Sequence, residues 1–117
     1  MEDIENKLLK GIKEYETGDF INSLENLNSA IELNSESAEA YYYRGLVYSS
    51  LEYSELALAD FTKAISLNPD YAEAYYERGS AKYELKDTKG AVEDLKIARN
   101  LNPALRDLIA EMFGNID

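Results

Sequence analysis

The sequence repeats with a period of 34 residues, and this period restricts the possible folds more than any other feature of the chain. Residues 4–37, 38–71 and 72–105 align without a gap, and we call them repeats 1, 2 and 3. Five aligned columns hold small, apolar or amide residues: Gly11, Gly45 and Gly79; Ser23, Ala57 and Ala91; Ala30, Ala64 and Ala98; Leu33, Leu67 and Leu101; Asn34, Asn68 and Asn102. A unit this short cannot bury an apolar face alone, so we expect stacked units that share a continuous core.

Each repeat has the pattern of two amphipathic helices, because small or apolar residues recur at positions i, i+3, i+4 and i+7. Ser35, Pro69 and Pro103 follow the last column and favour a turn between repeats. The expected helices cover 4–17, 20–33, 38–51, 54–67, 72–85 and 88–101, with a further helix near 103–113. Two Pro and six Gly in 117 residues suit helices better than a turn-rich β fold. The sequence therefore predicts an all-α solenoid forming a single domain over 1–117.

The glycine column predicts where the helices of one repeat approach each other. A glycine inside a helix costs roughly 0.5 to 1 kcal/mol relative to alanine, so its recurrence indicates close contact with a neighbouring helix. We expect Leu27, Phe61 and Leu95 of the second helices to fill the space beside these glycines.

These columns resemble the tetratricopeptide repeat, whose pattern contains an aromatic residue, Leu, Gly, Tyr, Ala, Phe, Ala and Pro in a fixed order. Repeat 2 matches it through Tyr41, Gly45, Tyr48, Ala57, Phe61, Ala64 and Pro69, and repeat 3 through Tyr75, Gly79, Ala91, Leu95, Ala98 and Pro103. Arg44 replaces the usual Leu, and Lys82 replaces the usual Tyr. Repeat 1 departs most, with Lys7, Lys10 and Ser35 at pattern positions. The resemblance implies a scaffold that binds a protein or peptide.

The segment after repeat 3 predicts one more helix, with Asn102 as its N-cap, Pro103 at its first position and Gly114 at its end. Leu108, Ile109 and Met112 would then cover the open flank of repeat 3. Two interpretations are open: a capping helix over 103–114, or the first helix of a fourth repeat in a longer array.

Composition excludes several classes of function. The net charge of −11 repels nucleic acid and anionic membrane surfaces. The chain has no Cys and no His, so it lacks thiolate nucleophiles and the commonest transition-metal ligands. We find no signal peptide, membrane span or phosphate-binding glycine loop, and we expect a cytoplasmic protein that is not an enzyme and needs neither cofactor nor metal. Glu73 and Glu77 could be offered as a metal or acid/base pair, but a solvated acidic face explains them better.

The resemblance also implies a concave groove lined by the first helices of the repeats. The matching positions are Glu5, Leu8, Ile12, Tyr15, Glu16, Glu39, Tyr42, Tyr43, Leu46, Ser49, Glu73, Tyr76, Glu77, Ser80, Tyr83 and Glu84, with Asp107 and Glu111 from the last helix. This set contains acidic and aromatic residues and not one Lys or Arg. Tyrosine is enriched at binding surfaces, so the set favours a groove for a basic or apolar peptide, the other interpretation being a generic surface.

One group of the family binds acidic C-terminal peptides of heat-shock chaperones through a clamp of Lys, Asn, Asn, Lys and Arg. The matching positions here are Leu8, Ile12, Tyr43, Glu73 and Glu77, so no clamp residue is kept and two have the opposite charge. We therefore expect no binding of a chaperone peptide that ends in carboxylates.

Arg44 and Arg78 each share a repeat with an aspartate, Asp60 and Asp94, whereas repeat 1 has Lys10 and Asn26 at those positions. This covariation predicts an Arg–carboxylate pair within each repeat, the alternative being arginines available to a ligand. As a second possible function, the chain could be a scaffold that self-assembles through its terminal helices.

Overall fold

A computed structural model describes residues 4–117, and the side chains of residues 6–117. The elements are α1 (Ile4–Glu16), α2 (Phe20–Leu33), α3 (Ala38–Ser50), α4 (Ser54–Leu67), α5 (Ala72–Glu84), α6 (Thr88–Leu101), a 3-10 turn (Pro103–Leu105) and α7 (Arg106–Phe113). The described residues include no strand, and the all-α solenoid is confirmed. Each expected helix is present, with ends that differ from the prediction by at most one residue in the six repeat helices.

Local sequence explains why most of these helices begin where they do. Asp19 and Asp87 cap α2 and α6 by accepting hydrogen bonds from backbone N–H groups two or three positions into the helix, and Ser37 does the same for α3. Tyr53 and Tyr71 take the same places before α4 and α5 and provide no side-chain cap. The starts of α4 and α5 therefore lack the side-chain cap that α2, α3 and α6 have.

The two helices of each repeat pack as an antiparallel pair across the glycine column. A Cβ atom built on Gly45 would lie 2.7 Å from Cε1 of Phe61, and one on Gly11 would lie 2.7 Å from Cγ of Leu27. Phe61 and Leu27 are fully buried. The predicted close approach at these glycines is thus confirmed, since any side chain there would collide with the second helix.

The Arg–Asp pairs lie inside the repeats, as predicted. Arg44 donates from Nε to Oδ2 of Asp60 at 2.8 Å and from Nη2 to Oδ1 at 2.7 Å. Arg78 contacts Asp94 in the same two-bond arrangement, at 2.8 Å for both bonds. Asp60 and Asp94 are both buried, so these arginines balance internal charges instead of serving a ligand.

The C-terminal segment differs from the prediction in two respects. Pro103 begins a 3-10 turn rather than the α-helix itself, although Asn102 does cap the turn by accepting a hydrogen bond from the N–H of Ala104. Only Ile109 of the three expected covering residues is buried, while Leu108 is 40% exposed and Met112 is 61% exposed. The last helix therefore covers the flank of repeat 3 through one side of a single turn.

Candidate binding groove

The first helices of the three repeats, α1, α3 and α5, lie side by side, and they carry most of the residues that the sequence predicts for a groove. The helix α3 contacts both α1 and α5, so residues of all three share one continuous face. Of the predicted groove residues, those that are partly buried are Leu8, Ile12, Tyr15, Tyr42, Tyr43, Ser49, Tyr76, Glu77 and Ser80, and those that are exposed are Glu16, Glu39, Glu73, Tyr83, Glu84, Asp107 and Glu111. The side chain of Glu5 lies outside the described residues.

Leu46 does not line the groove as predicted, because it is only 8% exposed. It packs with Ala57 and Phe61 in a core cluster, against which the rings of Tyr42 and Tyr43 are laid. Leu46 therefore belongs to the core and not to an accessible binding surface.

Aromatic rings form a connected row from repeat 1 to Tyr71, the last residue of repeat 2. The ring centroids of Tyr15 and Tyr43 are 6.1 Å apart, those of Tyr43 and Tyr42 are 5.2 Å apart, and those of Tyr42 and Tyr71 are 4.9 Å apart. The first two pairs are edge-on, a geometry that aromatic quadrupoles favour. Burial raises the pKa of Tyr15, Tyr42 and Tyr43, with nearby glutamates adding to the shift, so these hydroxyls stay neutral at physiological pH.

Glu77 is the most perturbed acid of the groove. Burial raises the pKa of its carboxyl to about 7, because the charged form loses water without gaining a cation or a hydrogen bond from any residue between 6 and 117. Its charge acts on Tyr15 of α1 and on Tyr42 of α3, and raises the pKa of both hydroxyls. Glu77 of α5 is therefore within electrostatic range of both α1 and α3.

A polar cavity of about 450 Å³ lies beside Glu77, between α5 and the C-terminal end of α3. Its lining consists of carboxylates, hydroxyls and one methyl group, and the residues are Ser49, Glu52, Ser54, Glu77, Ser80, Ala81 and Glu84. None of these residues is basic, so a cation from outside would be the natural charge partner of the site.

Sequence reasoning missed Tyr71, Glu52 and Ser54. Tyr71 precedes α5 at the N-cap position, where its ring packs on Tyr42. Glu52 lies in the turn after α3, and Ser54 is the first residue of α4. The only signal in the sequence was that Tyr71, at the end of repeat 2, stands where repeat 1 ends with the capping residue Ser37, a substitution that a contact of the Tyr71 ring would explain.

Metal-binding clusters and membrane-spanning helices were sought among residues 6–117. No group of three acidic residues there is arranged to hold a metal ion. Over the same part of the chain, no helix is both long and apolar enough to cross a membrane.

Sequence profiles of the tetratricopeptide repeat match residues 11–51, 38–71 and 72–104. No curated protein matches the sequence with significance. Among solved structures, the TPR domain of Arabidopsis OM64 is 30% identical, with a TM-score of 0.83, and the match covers 86% of this chain and 83% of that domain. MamA is 26% identical at a TM-score of 0.84, over 92% of this chain and 67% of MamA. The TPR2B domain of yeast Sti1, in a complex with pHsp70, is 25% identical at a TM-score of 0.82, over 92% and 86% of the two chains.

Proposed function

Because the chain belongs to the tetratricopeptide repeat family, we propose that it is a non-catalytic protein-interaction module whose groove binds a basic or apolar peptide segment of a partner. The observation that carries this proposal is the partly buried carboxyl of Glu77, which lines a cavity between α5 and α3 that contains no basic residue. A Lys or Arg side chain of a partner would provide the charge that the protein itself does not provide there.

The surroundings of Glu77 support the same partner chemistry. Glu73 and Glu84 are exposed on α5, and Glu39 is exposed on α3, so the potential along the groove has one sign. The partly buried rings of Tyr15 and Tyr43 offer apolar and cation–π contacts between these charges. The TPR2B domain of yeast Sti1, which has a similar fold, is found in a complex with pHsp70, so a related domain binds a protein ligand.

The absence of the basic clamp supports a second part of the proposal, that acidic chaperone peptides are not ligands of this chain. A peptide ending in carboxylates would approach Glu73 and Glu77, and its charges would be repelled at the positions where the clamp would supply Lys and Arg.

The test is a peptide array read at about 0.05 M and about 0.5 M salt, since screening weakens attraction between exposed charges. We expect Lys- and Arg-containing peptides to bind, and their binding to weaken as the salt concentration rises. Peptides with clustered C-terminal carboxylates should not bind. Reversing the groove charge with Glu73→Lys and Glu77→Lys should exchange the two classes of peptide. The matched control is Glu25→Lys with Glu93→Lys, which changes the net charge equally at exposed positions on the second helices. Equal binding of acidic and basic peptides to the unmodified chain would contradict the proposal.

Self-assembly is the competing function, and exposed apolar residues on both terminal helices favour it. Leu9 on α1 is 63% exposed and Met112 on α7 is 61% exposed. Light scattering over a range of concentrations separates the two functions. An oligomer that dissociates on Leu9→Ser would support assembly, whereas a monomer at all concentrations would support the peptide-binding module.

A further inference from the structure

Phe113, the last residue of α7, lies against two tyrosines of the predicted groove. The centroid of its ring is 5.4 Å from that of Tyr83 at an angle of 75°, and 6.2 Å from that of Tyr76 at 74°. Both contacts are edge-on, and the two tyrosines stand seven positions apart on the same face of α5. The chain's own C-terminal helix therefore places an aromatic side chain in the repeat 3 end of the groove.

The part of α7 that carries Phe113 is attached to the rest of the molecule by few strong contacts. Ile109 is the fully buried side chain of the helix, one turn before Phe113, whereas Leu108 and Met112 are substantially exposed. Beyond Gly114, Asp117 pairs with Arg99 at 2.8 Å, but the Asp117 side chain is 66% exposed, so water and salt weaken this bridge. The end of the helix can thus move away without opening the core of the three repeats.

Repeat 2 covers its equivalent tyrosine in a different way. Tyr42, which aligns with Tyr76, packs against Phe61 of its own second helix at 5.9 Å and against Tyr71 at 4.9 Å. In repeat 3 the residues aligned with this pair are Leu95 and Leu105, which are aliphatic. The aromatic contacts of Tyr76 thus depend on the terminal helix, whereas those of Tyr42 are built into the repeats.

Acidic side chains stand beside this aromatic site. Glu77 follows Tyr76 and Glu84 follows Tyr83, and both glutamates line the 450 Å³ cavity described above. A ligand that places a ring between the two tyrosines would bring its neighbouring residues to these carboxylates.

We propose that Tyr76 and Tyr83 form an aromatic subsite which Phe113 occupies in the free chain, and that a partner peptide displaces Phe113 with its own aromatic residue next to a Lys or Arg. This inference rests on the proposed function and specifies the ligand of the same groove. Phe113 then acts as an internal competitor that lowers the affinity for every aromatic ligand.

The experiment compares two amidated peptides, GKRFKG and GKRAKG, which differ only in the aromatic residue. Binding to the full chain is followed by NMR, through the ring signals of Tyr76 and Tyr83. We expect GKRFKG to bind more tightly and to shift both ring signals. Phe113→Ala should increase the affinity for GKRFKG about tenfold, which is the scale of two edge-on ring contacts. It should change the affinity for GKRAKG by less than about twofold.

Met112→Ala is the matched control, because it removes an exposed side chain from the same turn and should leave both affinities unchanged. If Phe113→Ala does not fold, Phe113→Leu keeps an apolar side chain over the two tyrosines. It should give a smaller increase in the affinity for GKRFKG and no increase for GKRAKG. The inference fails if Phe113 variants lose thermal stability without any gain in affinity, or if the two peptides bind equally. Equal, salt-dependent binding would leave the proposed function standing, whereas no binding of either peptide to any variant would remove both.

Discussion

Arg44 and Asp60 form a two-bond ion pair across the helices of repeat 2. Arg78 and Asp94, which are separated by the same number of residues, form the equivalent pair in repeat 3. The guanidinium of Arg44 also lies 5.5 Å from the ring centroid of Tyr41. The carboxylates of the two pairs have different neighbours: Lys82 adds a second cation to Asp94, its Nζ lying 3.0 Å from Oδ2, and Asp60 has no such neighbour among the described residues.

This difference predicts unequal effects of the same substitution. Arg44→Leu should lower the free energy of unfolding by about 3 to 5 kcal/mol, because it leaves the carboxylate of Asp60 buried without a cation. Arg78→Leu should cost at least about 1 kcal/mol less, since Lys82 stays beside Asp94. Urea unfolding of the two variants measures both values.

The double variant Arg44→Leu with Asp60→Asn is the control for that experiment, because it removes the buried charge together with its partner. It should recover a large part of the stability lost in Arg44→Leu. Equal losses for the two single variants would show that Lys82 does not compensate for Arg78.

The glycine column gives a second prediction. Gly45→Ala should lower stability by about 1 to 3 kcal/mol, because the new Cβ would lie within 3.0 Å of three atoms of the rigid Phe61 ring. At Gly79 a new Cβ would lie 3.1 Å from Cγ of Leu95 and 3.2 Å from the backbone oxygen of Ala91, so a shift of a few tenths of an ångström is enough to relieve the contacts. Gly79→Ala should therefore be close to neutral, because the helical preference of alanine offsets the contact. Melting temperatures of the two variants show whether the Phe61 ring causes the difference in stability.

Features that recur with the repeat could be predicted from the sequence. Gly11, Gly45 and Gly79 face the second helices because the packing between the two helices of a unit is the same each time. The Arg–Asp pairs were predictable for the same reason, since the acid is absent in repeat 1, where the Arg is also absent. In both cases alignment within one chain gave information about a contact between distant residues.

Features that occur once could not be predicted in this way. The position of Phe113 depends on the 3-10 turn at Pro103, which sets the direction of α7 and has no counterpart in the repeats. The placement of Leu46 on the groove surface, which the family resemblance implies, was wrong, because the sequence does not show that Leu46 is buried in a core cluster against which Tyr42 and Tyr43 pack. The raised pKa of Glu77 results from burial and likewise requires the structure.

Tyr53 gives the third prediction. It holds the N-cap position of α4, where repeats 1 and 3 have Asp19 and Asp87, and it makes no capping hydrogen bond. Its ring is 55% exposed, so packing of the ring compensates little for the missing capping hydrogen bond. Tyr53→Asp should raise the free energy of unfolding by about 0.5 to 1 kcal/mol, as measured by urea unfolding.

Tyr53→Ala is the comparison for that variant, because it removes the same ring and provides no cap. It should be no more stable than the natural chain. A gain for the alanine variant equal to that of Tyr53→Asp would mean that loss of the exposed ring, and not capping, stabilises the protein.

Glu77 gives the fourth prediction, on stability. In the unfolded chain its carboxyl titrates near 4.5, and in the folded chain its pKa is raised to about 7. Between these values the folded state binds more protons, so this group makes stability fall as pH rises from about 4.5 to about 7. Glu77→Gln removes the effect and should stabilise the chain by about 1 to 3 kcal/mol at pH 8, and by much less at pH 4.5. Urea unfolding at both pH values measures the difference.

The same group makes peptide binding depend on pH. The titratable groups that face the groove around Glu77 are Tyr15, Tyr42, Glu52, Glu73, Tyr76 and Glu84, none of which is a cation. A peptide lysine placed beside Glu77 favours its charged form, so binding near pH 7 should release a proton and strengthen as pH rises from about 6 to about 8.

Calorimetry in two buffers of different ionisation enthalpy counts the protons. Glu77→Gln should abolish the release and flatten the pH dependence, and Glu84→Gln, which changes a more exposed acid of the same cavity, should preserve both. Proton release that persists in Glu77→Gln would place the binding cation at another carboxylate.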